Sequence, residues 1–369
     1  MIEPRCPYFG KCGGCSSQDL DYNSQLETKK EKLAKAIGFD NIQIFSGQEY
    51  GYRHRMDLIF HPKGLGFREK GSWHKAVDVK QCAISNAKLN SLIGEIREFF
   101  QGVESFDHKH NEGTFRYAVI RTPPSDSSVS IVLNTEAENL ETARQRIVRF
   151  AAQTSAANVL ITYVIPHRDV SVSENYEVVK GTDMIHEEYL GRTFWYPVQG
   201  FFQNNHEMSE SMHSYCHERL RSYPTDKAHL IDLYGGVGTF GIINAGLFQT
   251  ITTVESYEPA VNACQKNMVE NKISNLNPVL LDAKRLRTLE LPRPLYVIAD
   301  PPRNGIHPKA LKRMRELQPG LILYVSCNIK LLGSELKELD TCTIKSAALF
   351  DLFPQTPHQE AVIELVPNP

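Results

Sequence analysis

The sequence lacks the features that place a chain in a membrane or on a secretory route. It has no apolar run near the roughly 18 residues that a spanning helix needs, and its first residues, MIEPRCPYFGKC, have no apolar signal-peptide core. We therefore expect a cytoplasmic protein without membrane contact. Cysteines are usually reduced there, so the eight cysteines are expected to be thiols, metal ligands or catalytic groups rather than disulfides.

An excess of charge of one sign is also missing. The chain has 41 Lys and Arg against 43 Asp and Glu, so any site for a polyanion must be a local patch. The best window is residues 51–80, where basic residues outnumber acidic ones and aromatic residues lie among them. Such a mixture suits a surface that holds phosphates and stacks bases, although an ordinary hairpin with a solvated face would have the same composition.

The length and composition are those of a multidomain globular protein. The 369 residues, 41% of them hydrophobic, exceed one typical domain. Short strands mixed with helices in the first half predict an α+β unit, and the sequence has no internal repeat or low-complexity linker. We predict three parts: a β-rich part at 1–90, the rest of the α+β unit at 91–195, and a carboxyl-terminal domain at 196–369.

Three cysteines lie close together near the amino terminus. Cys6, Cys12 and Cys15 form the pattern C-x5-C-x2-C, and Cys82 follows far downstream. Four thiolates can bind zinc or an iron–sulfur cluster. A structural zinc site more often has two C-x2-C pairs and this chain has one, but the spacing alone does not choose between the two metals.

The carboxyl-terminal half has several strand-like runs that end in polar residues. The run LIDLY at 230–234 leads into GGVGTFG, and later runs are followed by Glu255, Asp282 and Asp300. In an open α/β sheet the carboxyl ends of the strands border the ligand crevice. Carboxylates there suit the ribose and adenine of a nucleoside. Since the G-x-G-x-x-G fingerprint of NAD enzymes is absent, S-adenosylmethionine is favoured, although an isolated acid at a strand end is usually a helix cap.

The segment LILYVSCN at 321–328 predicts a short buried strand, of the kind found in parallel sheets, that ends at Cys327. A thiol at this position would face the crevice and is a candidate nucleophile, although a cysteine is more often a small buried hydrophobe. Glu360 begins the last predicted strand and could reach the same crevice. The alternative is a solvated loop carboxylate beside His358.

Several of these segments resemble the RNA 5-methyluridine methyltransferases. The matching segments follow one another along both halves: the cysteine loop with Cys82, YRHRM at 52–56, GTFRY at 113–117, QGFFQNN at 199–205, DLYGGVGTFG at 232–241, VESYEPAV at 254–261, ADPPRNG at 299–305, YVSCN at 324–328 and DLFPQTPHQE at 351–360. The resemblance implies an α/β fold in which a Rossmann-like class I methyltransferase sheet follows an α+β domain that carries an iron–sulfur loop.

The resemblance also implies roles for individual residues. Cys327 is expected to add to C6 of a uracil, and Glu360 to accept the C5 proton. The expected S-adenosylmethionine contacts are Gln203, Tyr234, Glu255, Asp282 and Asp300, the expected aromatic at the target base is Phe201, and the expected ligands of a 4Fe–4S cluster are Cys6, Cys12, Cys15 and Cys82. Two positions depart from the pattern, since relatives usually have Cys at Gly235 and an apolar residue at Gln359.

The RNA substrate follows from which segments are present. Cluster cysteines without a preceding RNA-binding β-barrel are typical of the branch that methylates a hairpin loop of 23S rRNA, so we expect a monomer that acts on 23S rRNA. Some archaeal tRNA enzymes also carry these cysteines, which leaves tRNA as the alternative. A catalytically inactive iron–sulfur RNA-binding protein is a second alternative. A radical S-adenosylmethionine enzyme is disfavoured because its C-x3-C-x2-C motif is missing.

Overall fold

A computed structural model describes residues 2–368 of the chain. Its strands, numbered along the chain, are β1 (Ile42–Phe45), β2 (Arg55–His61), β3 (Gly64–Arg68), β4 (Ala76–Asp78), β5 (Phe115–Arg121), β6 (Ser128–Asn134), β7 (Asn158–Val164), β8 (Tyr176–Lys180), β9 (Met184–Tyr189), β10 (Arg192–Pro197), β11 (His229–Leu233), β12 (Thr250–Glu255), β13 (Leu276–Leu280), β14 (Leu295–Ala299), β15 (Leu321–Ser326), β16 (Cys342–Phe350) and β17 (Glu360–Pro367).

The helices lie between these strands. They are α1 (Tyr22–Ile37), α2 (Ala87–Phe99), α3 (Leu140–Gln153), α4 (His206–Arg221), α5 (Thr239–Ile243), α6 (Glu258–Glu270), α7 (Pro308–Leu317) and α8 (Ile329–Glu338), with a 3₁₀ helix at Ala283–Thr288. Capping side chains fix several of the starts, because an Asp or Asn oxygen there accepts a backbone N–H of the first turn. Asp21 does so for α1 and Asn328 for α8.

The carboxyl-terminal half forms a doubly wound α/β sheet, as the sequence predicts. Within residues 2–368 this sheet has eight strands in the order β1-β16-β17-β15-β14-β11-β12-β13. The run from β15 to β13 is parallel, whereas β17 is antiparallel to both of its neighbours. Side chains from α4, α5 and α6 cover one face of the sheet, and those from α1, α7 and α8 cover the other. Both faces are therefore buried, which explains the continuous apolar runs of the central strands.

The first half contributes a second sheet. In the part of the chain that the structure describes, this sheet has seven strands in the order β4-β3-β2-β5-β6-β7-β8. Most pairs are antiparallel, but β6 and β7 are parallel because α3 crosses between them. Helices α2 and α3 pack on one face around a core that includes Leu92, Ile96 and Phe150. The predicted α+β character is confirmed.

Some elements differ from the sequence-based predictions. Strand β1 lies at the edge of the carboxyl-terminal sheet, where Ile42–Phe45 pairs with β16, although the chain around it belongs to the predicted 1–90 part. The predicted strand before Asp282 spans Leu276–Leu280, so Leu281 lies between its end and Asp282. The divisions at residues 90 and 195 stay predictions.

No helix between residues 2 and 368 is long and apolar enough to cross a bilayer.

A buried ion pair fastens α1 to the end of the sheet. The Nζ atom of Lys29 lies 2.6 Å from Oδ1 of Asp351, and the two side chains are only 4% and 0% exposed. The same ammonium donates to the backbone oxygen of Phe353 at 3.2 Å. Burial lowers the pKa of Lys29, and the carboxylate beside it acts in the opposite direction. The pair thus joins the amino-terminal helix to the segment that leads into β17.

Replacing Lys29 by Met should therefore destabilise the protein far more than an equal change on the exposed side of α1. The variant leaves the Asp351 carboxylate buried without its cation, a change that typically costs about 3–5 kcal/mol. Urea unfolding followed by circular dichroism measures the free energy of unfolding. Lys32→Met, at an exposed position of the same helix, is the control. Equal stability of the two variants would contradict the importance of the pair.

Candidate active site

The two halves of the chain enclose one large cavity. Its volume is about 1100 Å³, and its walls include the strand ends β11, β12 and β14 on one side and the amino-terminal cysteine loop on the other. Ligands of doubly wound sheets bind beyond the carboxyl ends of parallel strands. A cavity of this size exceeds the usual small-molecule site and has room for a nucleoside cofactor together with part of a larger substrate.

Strand register brings Cys327 and Glu360 onto one face of the sheet. In the antiparallel pair of β15 and β17, Ser326 lies opposite Ala361. Side chains alternate between the two faces along a strand. Cys327 follows Ser326 and Glu360 precedes Ala361, so both side chains lie on the face opposite to those of Ser326 and Ala361. Both residues line the cavity. Two candidates that are far apart in the sequence are therefore brought together by a register that the sequence does not show.

Asp300 joins them from the neighbouring parallel strand. It follows β14 directly, and the last residue of that strand, Ala299, is paired with Tyr324 of β15. Asp300 is half-buried and also lines the cavity. A carboxylate, a thiol and a second carboxylate consequently meet beyond the ends of β14, β15 and β17, in the order Asp300, Cys327 and Glu360 across the sheet.

Burial and neighbouring charges shift the pKa values of these three residues. Burial raises the pKa of Glu360 well above its usual value, and the nearby Asp300 adds to the shift. Burial likewise raises the pKa of Asp300 to about 7. The pKa of Cys327 is raised to about 11 by burial and then by Glu360 and Asp300, whereas Arg303 acts against the rise. Strongly shifted neighbours in a cavity are typical of catalytic sites.

Hydrogen bonds hold the loops that carry Cys327. The Asn328 side chain accepts from the backbone N–H of Leu331 at 3.4 Å at the start of α8 and donates through Nδ2 to the backbone oxygen of Arg303 at 2.9 Å. This links the loop after β15 to the loop after β14. Arg303 is exposed and lines the cavity, so its guanidinium is available to an anion.

The other end of the cavity has the features of a nucleoside site. Glu255 accepts hydrogen bonds from the backbone N–H groups of Gly236 at 3.1 Å, Ser256 at 2.6 Å and Tyr257 at 2.8 Å. These bonds fix the carboxylate at the end of β12. Tyr234 lies in the same wall with a φ of 62°, and its hydroxyl accepts from the backbone N–H of His307 at 3.0 Å.

Gly235 has a packing reason to lack a side chain. A Cβ atom there would overlap the methyl group of Thr253 and the carboxylate of Asp232. Asp232 itself is fully buried beneath the turn, where Oδ2 accepts from the N–H of Gly241 at 3.1 Å, and burial raises its pKa to about 7. The departure at Gly235 is thus matched by its surroundings. Sequence reasoning missed Asp232, although a polar residue inside the apolar run LIDL was a usable signal.

Asp282 stands apart from the other predicted cofactor contacts. It is not among the cavity-lining residues. Its side chain accepts from the backbone N–H of Lys284 at 2.9 Å, which caps the 3₁₀ helix, and Oδ2 lies 2.8 Å from the Lys284 ammonium. These contacts lower its pKa. In the structure Asp282 caps the 3₁₀ helix, which is the alternative role of an acid at a strand end.

Phe201 and Gln203 enter the cavity from a loop between β10 and α4. Both line it, and Phe201 is 70% exposed. Between them, Phe202 points inward and stacks on Tyr196 with ring centroids 4.1 Å apart. The buried guanidinium of Arg121 donates to the backbone oxygen of Gly200. The loop is therefore anchored at its centre while an aromatic ring remains available to a ligand.

The four amino-terminal cysteines meet in the opposite wall. All four line the cavity and are half-buried. Burial raises the pKa of Cys15 to about 12, and the other thiols add to the shift, so their charges affect one another. Gly14 N–H donates to the sulfur of Cys12 at 3.4 Å. No group of three or more His, Cys, Asp or Glu within residues 2–368 has the arrangement for a single metal ion, and the cluster stays a prediction.

Comparisons with known proteins agree with this geometry. The model of the tRNA (uracil-5-)-methyltransferase family matches residues 21–367. The tRNA (uracil(54)-C(5))-methyltransferase of Pyrococcus horikoshii is 33% identical over 367 residues, which cover 99% of this chain and 86% of the relative. An uncharacterised RNA methyltransferase of Caldanaerobacter subterraneus is 31% identical and covers 98% of this chain and 84% of its own length.

A solved structure shows the same fold over almost the whole chain. It is the crystal structure of the Pyrococcus abyssi tRNA (uracil-54, C5)-methyltransferase in complex with S-adenosyl-L-homocysteine, and it matches with a TM-score of 0.81 at 28% identity. The match covers 96% of this chain and 86% of that one. The chain belongs to the tRNA (uracil-5-)-methyltransferase family and is an RNA uracil-C5 methyltransferase.

Proposed function

We propose that this enzyme transfers a methyl group from S-adenosylmethionine to C5 of a tRNA uridine through a covalent bond between Cys327 and C6. The observation that carries the proposal is the meeting of Cys327, Glu360 and Asp300 in one cavity that also contains the nucleoside features around Glu255. A thiol between the half-buried Asp300 and the buried Glu360 can form a bond to carbon and has a base beside it. The rest of the cavity leaves room for the methyl donor.

The choice of tRNA corrects the expectation of 23S rRNA. The Pyrococcus horikoshii relative and the Pyrococcus abyssi structure carry tRNA uracil-54 in their names, and each match covers almost the full length of this chain. The resemblance pointed to the rRNA branch, but some archaeal tRNA enzymes also carry the cluster cysteines, so these cysteines do not separate the two substrates. We therefore propose the uridine that corresponds to nucleotide 54 of tRNA as the target.

Cys327 acts as the nucleophile. Direct removal of the C5 proton is beyond any side-chain base, but a sulfur bond to C6 turns C5 into an enolate carbon that can take a methyl group, which divides one hard step into easier ones. Burial and the two carboxylates favour the thiol over the thiolate. S-adenosylmethionine supplies the methyl group on a positively charged sulfonium. Arg303 opposes the rise of the Cys327 pKa and so favours the reactive thiolate.

Glu360 acts as the base that ends the reaction. It takes the C5 proton, the electrons of that C–H bond form the C5–C6 double bond, and the C6–S bond breaks to return the thiolate. Burial and Asp300 raise the pKa of Glu360, and a raised pKa makes the ionised carboxylate a stronger base than one in water. Its place beside Cys327 in the same wall lets one face of a uracil meet both groups.

The remaining predicted residues hold the two substrates. Four residues that line the cavity are proposed to bind S-adenosylmethionine: Gln203, Tyr234, Glu255 and Asp300. The Glu255 carboxylate can also accept hydrogen bonds from ribose hydroxyls. Asp282 is proposed as a peripheral contact only. Phe201, with its exposed ring, is proposed to stack on the target base, which must leave its own stack at a cost of roughly a few kcal/mol.

The amino-terminal wall is proposed to bind RNA and a 4Fe–4S cluster. The donor set fits, because four half-buried thiols face one space and each thiolate of such a cluster binds a different iron. A cluster thus keeps its ligands farther apart than a single ion does. Arg53 and Arg55, from the basic window at 51–80, line the same cavity. The cluster is proposed to be structural, fixing the loop that faces the RNA.

The substrate and the nucleophile can be tested together. The purified protein should transfer a tritiated methyl group from S-adenosylmethionine to an unmodified tRNA transcript, and changing nucleotide 54 to cytidine should abolish the transfer. Cys327→Ala should lose at least about a thousandfold in rate, as expected for loss of a nucleophile, while S-adenosylmethionine binding measured by calorimetry stays within about twofold.

Two outcomes would contradict this proposal. Methylation of a 23S rRNA fragment in place of tRNA would restore the rRNA expectation, and full turnover by Cys327→Ala would remove the nucleophile. Absence of methylation of any RNA by a protein that binds RNA would favour the inactive binding protein. Cys342→Ser, a thiol in β16 outside the cavity, is the matched control and should keep wild-type activity.

Glu360→Gln should stop the reaction one step later than Cys327→Ala. With no base to take the C5 proton, the methylated base stays bonded to Cys327, and the protein–RNA adduct should run as a slower band on a denaturing gel. The adduct should be absent in the double variant Cys327→Ala/Glu360→Gln. A Glu360→Gln enzyme with normal turnover and no adduct would show that another group accepts the proton.

The cluster proposal predicts bound iron. Protein purified or reconstituted without oxygen should contain about four iron atoms per chain and a broad visible absorption, and Cys15→Ser should lose both while Cys342→Ser keeps them. Removal of iron by a chelator should lower the unfolding temperature because the cysteine loop loses its cross-link. An anaerobic preparation without iron and with an unchanged unfolding temperature would refute the cluster.

A further inference from the structure

Gln359 is a buried side chain whose hydrogen bonds are not made. It is 3% exposed, and neither Oε1 nor Nε2 has a partner among the described residues. It lies in the wall of the cavity that contains Cys327, Asp300 and Glu360. Buried polar groups are nearly always paired, and an exception calls for an explanation.

Two other buried glutamines, Gln199 and Gln355, have partners at both amide atoms, whereas buried Gln18 lacks a partner at Nε2 only. Gln199 donates to Thr162 Oγ1 at 2.7 Å and accepts from the Ser173 N–H at 3.2 Å. Gln355 accepts from Gln25 Nε2 at 3.0 Å, and its own Nε2 lies 3.3 Å from Glu49. Gln359 differs from these residues because both of its amide atoms lack partners and it lines the cavity. A molecule that enters the cavity can supply both partners.

We propose that the Gln359 amide reads the Watson–Crick edge of the target uracil. This inference rests on the proposed function. Uracil offers a donor, N3–H, directly beside an acceptor, O4 or O2. A primary amide offers an acceptor beside a donor, so Oε1 can accept from N3–H while Nε2 donates to the adjacent carbonyl oxygen. Two parallel hydrogen bonds of this kind are both strong and specific.

The position of Gln359 next to Glu360 lets the proposed contact orient the base. It directly precedes Glu360, so an amide that holds the edge of the ring fixes C5 relative to the proposed base within the length of one peptide unit. An analogue that cannot pair with the Gln359 amide leaves a buried donor and acceptor without partners when it binds, which costs free energy. The site therefore discriminates mainly by binding such analogues weakly.

Two RNAs test the contact. One tRNA is assembled with uridine at nucleotide 54 and the other with N3-methyluridine there, which lacks the N3–H donor. Each is assayed for methyl transfer as kcat/KM with the wild type, Gln359→Met and the control Gln355→Met. Since every protein meets the same two RNAs, effects of the extra methyl group on RNA folding cancel when the ratios of kcat/KM are compared.

The expected result separates recognition from stability. Gln359→Met should lose roughly 10- to 100-fold in kcat/KM on the uridine RNA, and its preference for uridine over N3-methyluridine should fall toward the value set by RNA folding alone. Its unfolding temperature should be unchanged or higher, because an unpaired amide is removed from a buried place. Gln355→Met should show the opposite: a lower unfolding temperature and an unchanged preference.

An unchanged preference in Gln359→Met would overturn the inference, as would equal methylation of both RNAs by the wild type. Wild-type failure on the uridine RNA would instead count against the proposed function. If Gln359→Met does not fold, Gln359→Glu keeps the size of the side chain. When protonated, its carboxyl offers a donor and an acceptor, so its activity relative to wild type should rise as the pH falls; a ratio that does not change with pH would also overturn the inference.

Discussion

The structure depends on the register between two antiparallel strands at the end of an otherwise parallel run. Because Ser326 of β15 faces Ala361 of β17, Cys327 and Glu360 direct their side chains to the same side. A slip by one residue would turn Glu360 into the opposite face. The extensive pairing of β17 with both β15 and β16 opposes such a slip, so the stability of the sheet and the geometry of the site have one cause.

The amino-terminal segments support that register from outside. Helix α1 packs on the face of the sheet opposite to α4, strand β1 extends the sheet beyond β16, and the Lys29–Asp351 pair holds the turn that leads into β17. The Ser16 and Ser17 N–H groups donate to the backbone oxygen of Gln355 in that same turn. The loop that follows Cys15 is thus tied to the segment just before Glu360. The first half of the chain therefore helps to build the wall of the cavity that contains Glu360.

Sequence alone was enough for the elements whose signals are local. Buried strands such as β11, β14 and β15 are short apolar runs bounded by turns, and Cys327 and Glu360 adjoin such runs. The sequence could not show that β1, a strand of four residues, crosses to a partner about three hundred residues away along the chain, because so short a segment carries no pairing information. Asp282 ended a predicted strand, but a hydrogen bond two residues away made it a helix cap. Gln359 was noticed only as a departure from a pattern; its unpaired amide exists only in three dimensions.

The polar groups around the cavity share one property: their arrangement lowers the stability of the folded protein. Asp300 raises the pKa of Glu360, both carboxylates raise the pKa of Cys327, and the Gln359 amide has no partner among the described residues. Each of these arrangements costs folding free energy, and well-packed apolar residues would be more stable. In the proposed function, one event relieves all of them: the arrival of a base with polar edges beside a positively charged methyl donor. The proposal therefore implies that the binding of both ligands together removes an unfavourable interaction that is present in the empty site.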